Sequence, residues 1–233
     1  MTQQDYLENM LESYLLVTVL ADKNECRVLR LRHGKLGRDV VLRQLPYPVA
    51  AYTALADILC ENLPQVYDII DTDDGQVVLE EYVDGITVAE LAECGRIRYA
   101  QAVKILRGVC HALSVLHEKG FVHRDVKPEN VVVRPNGQAV LVDLNISRKV
   151  SNAGRDTMIM GTVGYASPEQ LGLTQSDART DIYACGVLLN VMLTGKHPSE
   201  QLARGRAGRI VRRCTAVNPN DRYPSAKHLA LAL

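Results

Sequence analysis

The apolar residues of this chain change their spacing once, at Asp84-Gly85, and that change limits the fold more than any other feature. Before it, short alternations recur at Leu15, Val17, Val19, at Val28, Leu29, Leu31, and at Val40, Val41, Leu42. Breaks at residues 21–25 and 33–39 divide them, so residues 14–45 are expected to form three antiparallel strands. Residues 49–59 have helical spacing, and two further strands, 66–70 and 77–83, flank an Asp-rich turn closed by Gly75. After Gly85, Ala102, Ile105, Leu106, Val109, Ala112, Leu113 and Leu116 fall on one helix face, stopped by Gly120. Short strands at 130–133 and 139–142 are joined by the turn Arg134-Pro135-Asn136-Gly137, and a long loop covers 143–167. An apolar helix, 181–194, ends at Gly195, and helical stretches fill 210–231. The expectation is an α+β chain, β-rich over residues 1–83 and mainly helical over 84–233.

A content of 47% hydrophobic residues in 233 is ample for a core. The 27 Lys and Arg residues balance 27 Asp and Glu, which argues against nucleic acid or acidic lipid as a partner. The basic run from Arg204 to Arg213 reads as a solvated helix face. Six scattered cysteines fit neither a zinc site nor a disulfide framework and are expected to be reduced core residues. No apolar segment approaches the roughly 18 residues of a bilayer span, so the expectation is a cytoplasmic domain with no membrane partner.

The chemistry concentrates in Phe121-Val122-His123-Arg124-Asp125-Val126-Lys127-Pro128-Glu129-Asn130, followed by an apolar strand and Leu141-Val142-Asp143. Phosphoryl transfer needs a carboxylate to orient the attacking hydroxyl, a cation on the moving group, and oxygen ligands for Mg²⁺. This segment offers all three, and it resembles the catalytic loop of the protein kinases, with the general look of bacterial Ser/Thr kinases. The resemblance implies a bilobal fold with a small β-rich N-terminal lobe and a mainly helical C-terminal lobe. It implies Asp125 as catalytic base, Lys127 as the cation that marks Ser/Thr specificity, and Asn130 and Asp143 as Mg²⁺ ligands.

Further segments follow in the family's order. Gly161-Thr162-Val163-Gly164-Tyr165-Ala166-Ser167-Pro168-Glu169 resembles the segment that positions a peptide substrate, which implies that Thr162 bonds Asp125 and Lys127. Glu169 is expected to pair with Arg222 in a buried, structural ion pair. Asp181 resembles the aspartate that holds the backbone of the His-Arg-Asp turn, although read alone it is an acid favoured by a helix N-terminus. For ATP, the resemblance implies Val28 and Val41 above the adenine, Val132 beneath it, and the backbone of Glu81 and Val83 at its edge. Taken singly, each valine reads as core.

The N-terminal part departs from the family. No glycine precedes Cys26-Arg27-Val28, where a Gly-rich loop would cover the phosphates, and residues 21–26 read as a plain hairpin turn. Arg43 stands where the phosphate-gripping lysine is expected, and residues 49–56 contain no acid that could serve as its helix partner. Leu144-Asn145 replaces Phe-Gly after Asp143. The leading expectation is a Ser/Thr protein kinase using ATP and Mg²⁺ on protein hydroxyls. The alternatives are a pseudokinase acting as a nucleotide-binding or scaffolding module and, more distantly, a small-molecule phosphotransferase. Thr157 in the long loop is an expected phosphorylation site, its phosphate pairing with Arg124.

Overall fold

The computed structural model describes residues 1–23, 25–145, 147–149, 164–171 and 176–233. The chain divides into two compact units, Met1–Leu59 with Pro64–Val83, and Cys60–Leu63 with Asp84–Leu233.

The first unit opens with helix α1 (Gln3–Leu11), followed by strands β1 (Tyr14–Lys23), β2 (Cys26–His33) and β3 (Asp39–Leu45), helix α2 (Ala50–Leu55), and strands β4 (Val66–Thr72) and β5 (Gly75–Glu81). The strands make one antiparallel five-stranded sheet in the order β1-β2-β3-β5-β4. Lys23 pairs with Cys26, so the expected plain hairpin closes there, with Glu25 in a left-handed conformation at φ 62°. Alternation sorts the strand residues onto two faces. One face carries Leu29, Leu31, Val40, Leu42, Val77 and Leu79, packed against Leu7 of α1, with Tyr6, Met10 and Tyr14 at the margin. Val28, Val41, Arg43, Val78 and Glu80 lie on the other face and are also buried.

Helix α1 was not expected from the apolar pattern. Its signal is a capping box, in which the Thr2 side chain accepts from the Asp5 amide and Asp5 accepts from the Thr2 amide. Helix α2 is shorter than the expected 49–59: it begins after Val49, which gives no side-chain cap, and stops at Leu55.

The second unit contains β6 (Ile86–Thr87), α3 (Val88–Glu93), α4 (Tyr99–Glu118), β7 (Phe121–Val122), β8 (Val131–Val133), β9 (Ala139–Leu141), β10 (Arg148–Lys149), α5 (Ala178–Thr194), α6 (Gly205–Cys214) and α7 (Ala226–Ala232). Strands β6, β8 and β9 form a small sheet, and β7 pairs with β10. A Cβ at Gly85 would lie 2.4 Å from the Val133 carbonyl oxygen, so only glycine fits where the chain enters β6. Residues 60–63 belong to this unit because Asn62 Nδ2 donates to the Ala139 carbonyl at 2.6 Å and its own carbonyl accepts from the Leu141 amide at 2.9 Å.

Helix α4 packs its apolar face, Ala102 through Leu116, against α5 and α7. Buried Asn190 on α5 donates to the carbonyls of Lys196 and Gln201 and accepts from the Ala203 amide, which fixes the chain that follows the helix. On α6, Arg204, Arg206, Arg209, Arg212 and Arg213 are exposed while Ala207, Ile210, Val211 and Cys214 are buried, so the basic run is a helix face in water. All six cysteines are free thiols; Cys110, Cys185 and Cys214 are core residues, whereas Cys94 is exposed, against the expectation that all lie inside. Among the described residues no helix is long and apolar enough to cross a membrane.

Candidate active site

The loop after β7 is held from beneath by α5. The cap of α5 is Asp177, whose side chain accepts from the Arg179 amide, so Asp181 is not needed as a cap and is turned inward instead. Its Oδ2 accepts from the His123 amide at 2.9 Å and its Oδ1 from the Arg124 amide at 2.8 Å, while His117 Nε2 lies 2.7 Å from Oδ2. Burial pushes the Asp181 carboxyl up, but the hydrogen bond and charge of His117 and the Arg124 amide lead the effects that more than offset it, and its pKa lies below the ordinary value. These bonds hold Arg124 at φ 72°, a left-handed conformation that a non-glycine residue adopts only when its surroundings impose it. From the other side, Gln170 Nε2 donates to the Arg124 carbonyl at 2.8 Å, while Gln170 Oε1 accepts from the Ser167 amide at 3.0 Å.

His123 is fully buried, and burial lowers its pKa against the opposing pull of Asp181, Asp143 and Asp125. A neutral imidazole in the fold means that only the unfolded chain gains a proton just below the ordinary value of 6.5. Stability should therefore begin to fall as pH drops below 6.5 and fall further below 3.8, where Asp181 is protonated in the unfolded chain alone. Urea unfolding as a function of pH should show both limbs, and His123→Leu should flatten the upper one. A wild-type curve level from 6.5 to 3.8 would contradict a neutral buried His123.

Held in this way, the loop presents Asp125 with its carboxylate fixed by two donors. Lys127 Nζ donates to Oδ2 at 2.7 Å and Asn130 Nδ2 donates to the same oxygen at 2.9 Å, with a second Asn130 bond to the Asp125 carbonyl at 2.9 Å. The Asn130 amide nitrogen is thereby engaged by Asp125, and these bonds do not use its Oδ1. Asn130 immediately precedes β8 and Asp143 lies just past β9; Val131 pairs with Leu141, and the Val142 amide donates to the Asn130 carbonyl at 2.9 Å. The hairpin thus brings Asn130 and Asp143 to one end. Asp143 has φ 70° and its Oδ1 accepts from the Asn145 amide at 3.3 Å, while Leu144 is buried.

These two residues supply hard oxygen donors of the kind Mg²⁺ takes, an amide oxygen and a carboxylate. Among the described residues no cluster of three or more His, Cys, Asp or Glu side chains is placed to cage a metal ion. A two-oxygen set fits an ion that completes its shell with phosphate and water rather than one held by protein alone.

The remaining expected residues fall as follows. In the second unit Val132 is half-buried on β8, paired with Val140 and Thr87. In the first unit Val28 and Val41 are each 6% exposed on the same sheet face, Glu81 ends β5, and Val83 is buried just beyond it. Thr162 and Thr157 lie outside the described residues. Glu169 and Arg222 form the expected pair, with Arg222 Nη1 and Nη2 donating to Glu169 Oε1 and Oε2 at 2.5 and 2.9 Å.

One expectation needs correction. Arg43 was expected to have no acidic partner because α2 carries none, but its Nε donates to Glu80 Oε1 at 2.6 Å, with both side chains buried. The partner comes from the sheet register and not from the helix. Gln170 and His117 were likewise not singled out from the sequence. Both act through polar bonds to residues more than 40 positions away in the chain, which local patterns do not encode.

A family model describing the protein kinase domain matches residues 51–230. The chain is 36% identical over 149 residues to a probable serine/threonine-protein kinase of Clostridium perfringens, covering 63% of this chain and 22% of that protein. It is 32% identical over 205 residues to a probable serine/threonine-protein kinase of Streptomyces coelicolor, covering 79% of this chain and 30% of the relative. It is 28% identical over 211 residues to the serine/threonine-protein kinase PknB of Mycolicibacterium smegmatis, 82% of this chain and 34% of the relative. The chain thus spans only a fifth to a third of the length of these curated relatives. With a β-sheet unit, a helical unit, an Asp125-Lys127-Asn130 set and a family match over most of its length, the chain belongs to the protein kinase family.

Proposed function

We propose that residues 1–83 and 84–233 act together as one Ser/Thr protein kinase domain that moves the γ-phosphoryl group of ATP to a hydroxyl of a protein substrate. The observation that carries this reading is the Asp125 carboxylate fixed by both Lys127 and Asn130. Asp125 orients the acceptor hydroxyl and takes its proton as the new O–P bond forms; the bond from the γ-phosphorus to the bridging oxygen breaks, and ADP leaves. Lys127 lies 2.7 Å from that carboxylate, where its ammonium can also balance charge on the moving phosphoryl group. Asn130 and Asp143 hold Mg²⁺, which when bound neutralises the phosphates. Val28, Val41 and Val132 contact the adenine faces, and the Glu81 and Val83 backbone reads its edge. Thr162 is assigned to hold Asp125 and Lys127 on the substrate side.

A pseudokinase role has less support, since the Asp125 set is assembled and the similar proteins are named as kinases. Free thiols throughout suit a reducing compartment, and we place the domain in the cytoplasm. The test is transfer of labelled phosphate from Mg·ATP to a basic protein acceptor, together with a thermal-shift titration. Because the β1–β2 hairpin closes on Glu25 without a glycine, ATP should bind weakly, in the upper part of the usual range of about 1 µM to 1 mM. Submicromolar affinity would contradict the missing phosphate lid. Absence of both transfer and any Mg²⁺-dependent shift would overturn the kinase reading.

A further inference from the structure

The relocated partner of Arg43 suggests how this domain manages without a helix glutamate. Arg43 and Glu80 sit on adjacent strands of one sheet, where Arg43 is directly opposite Val78 and Val41 is directly opposite Glu80. They are diagonal neighbours on a single face, within reach for long side chains. Their side chains are 7% and 4% exposed, and the Nε to Oε1 distance is 2.6 Å. Burying two charges is tolerated only when they are paired and hydrogen-bonded, so this contact fixes the guanidinium rather than decorating it. The sheet ladder sets both Cα positions, and the ion pair does not depend on α2, whose buried residues are Ala51, Tyr52 and Leu55. A guanidinium carries five N–H donors in a rigid fork whose geometry suits phosphate oxygens as well as a carboxylate. Glu80 also immediately precedes Glu81, whose backbone is assigned to the adenine edge.

We propose that Glu80 replaces the missing helix glutamate, anchoring Arg43 from the neighbouring strand so that Arg43 is aimed at the phosphates of ATP, which makes Glu80 a positioning residue. This rests on the nucleotide-binding reading above. It also implies that the cation is set when the sheet folds rather than by docking of a helix.

The experiment is calorimetric binding of Mg·ATP and of adenosine to the wild type, Glu80→Gln, Arg43→Lys and the double variant Arg43→Gln/Glu80→Gln. Glu80→Gln should weaken Mg·ATP about tenfold and leave adenosine within about twofold, the scale of one charge-assisted bond. Arg43→Lys keeps a charge that Glu80 can hold, and should retain ATP affinity to within about threefold. The double variant leaves no uncompensated buried charge, so it remains informative if Glu80→Gln fails to fold, and it should lose the same tenfold ratio of ATP to adenosine binding. ATP and adenosine affinities that fall together, or a double variant with an unchanged ratio, would make the pair purely structural and overturn the proposal. A wild type that binds adenosine but gains nothing from the phosphates would overturn it as well. A wild type that binds neither would instead overturn the nucleotide reading on which it rests.

Discussion

Asp125→Ala and Asp143→Ala should each lower phosphoryl transfer by roughly 10³-fold or more, the scale of losing a general base or a metal ligand in a closed site. For Asp125 the loss is twofold in kind, since the acceptor hydroxyl has no carboxylate to orient it and Lys127 and Asn130 lose the oxygen that both of them hold. Yet the fold of the loop should survive, because Asp181 and Gln170, not Asp125, bind the backbone at residues 123 and 124. Asp143→Ala keeps a Cβ at φ 70°, a left-handed conformation that Asp tolerates better than Ala, so a modest fall in the melting midpoint should accompany the loss of transfer. The measurement is initial rates with labelled ATP alongside melting midpoints. Full activity of either variant would remove its residue from the chemistry. Arg43→Ala should rank well below these, near tenfold, because it disturbs aim rather than reaction.

The periodicity of the chain made most of the fold legible. Five strands were expected over residues 14–83, and β1 to β5 fall within it, since alternation on a half-buried sheet is a strong local signal. Local signals failed where the partner was distant. Helix α1 has only Tyr6, Leu7 and Met10 to mark its apolar side in a polar segment, so its capping box was the one legible feature. The assignment of residues 60–63 to the second unit rests on Asn62 bonds to a strand nearly 80 residues later. At the site, Asp125, Lys127 and Asn130 were readable because they lie within six consecutive residues whose spacing is itself the motif. Glu80 was not, because finding it requires the β3–β5 register, and a shift of one residue would have placed it on the opposite face.

Arg222→Ala should destabilise the protein by about 3–5 kcal/mol, the usual cost of breaking a buried pair from one side. The side chain is fully buried and its bonds are many: two to Glu169, and one each to the carbonyls of Arg179, Ala216 and Val217. Removing it strands the Glu169 carboxylate, which keeps only Thr180 Oγ1 at 3.0 Å among the partners described here, and leaves three backbone acceptors to find others. For a chain of this size each kcal/mol shifts the melting midpoint by about 2–4 °C, so a drop near 10 °C is expected. Arg222→Lys should recover only part of it, since an ammonium on a flexible stem cannot span a carboxylate and three carbonyls as a planar fork does. Glu169→Leu added to Arg222→Ala should be no worse than Arg222→Ala alone, because the stranded charge goes with it, and the residual loss then measures the three carbonyls. If instead the double variant loses the sum of the two single costs, the residues are energetically independent and the pair does not act as a unit.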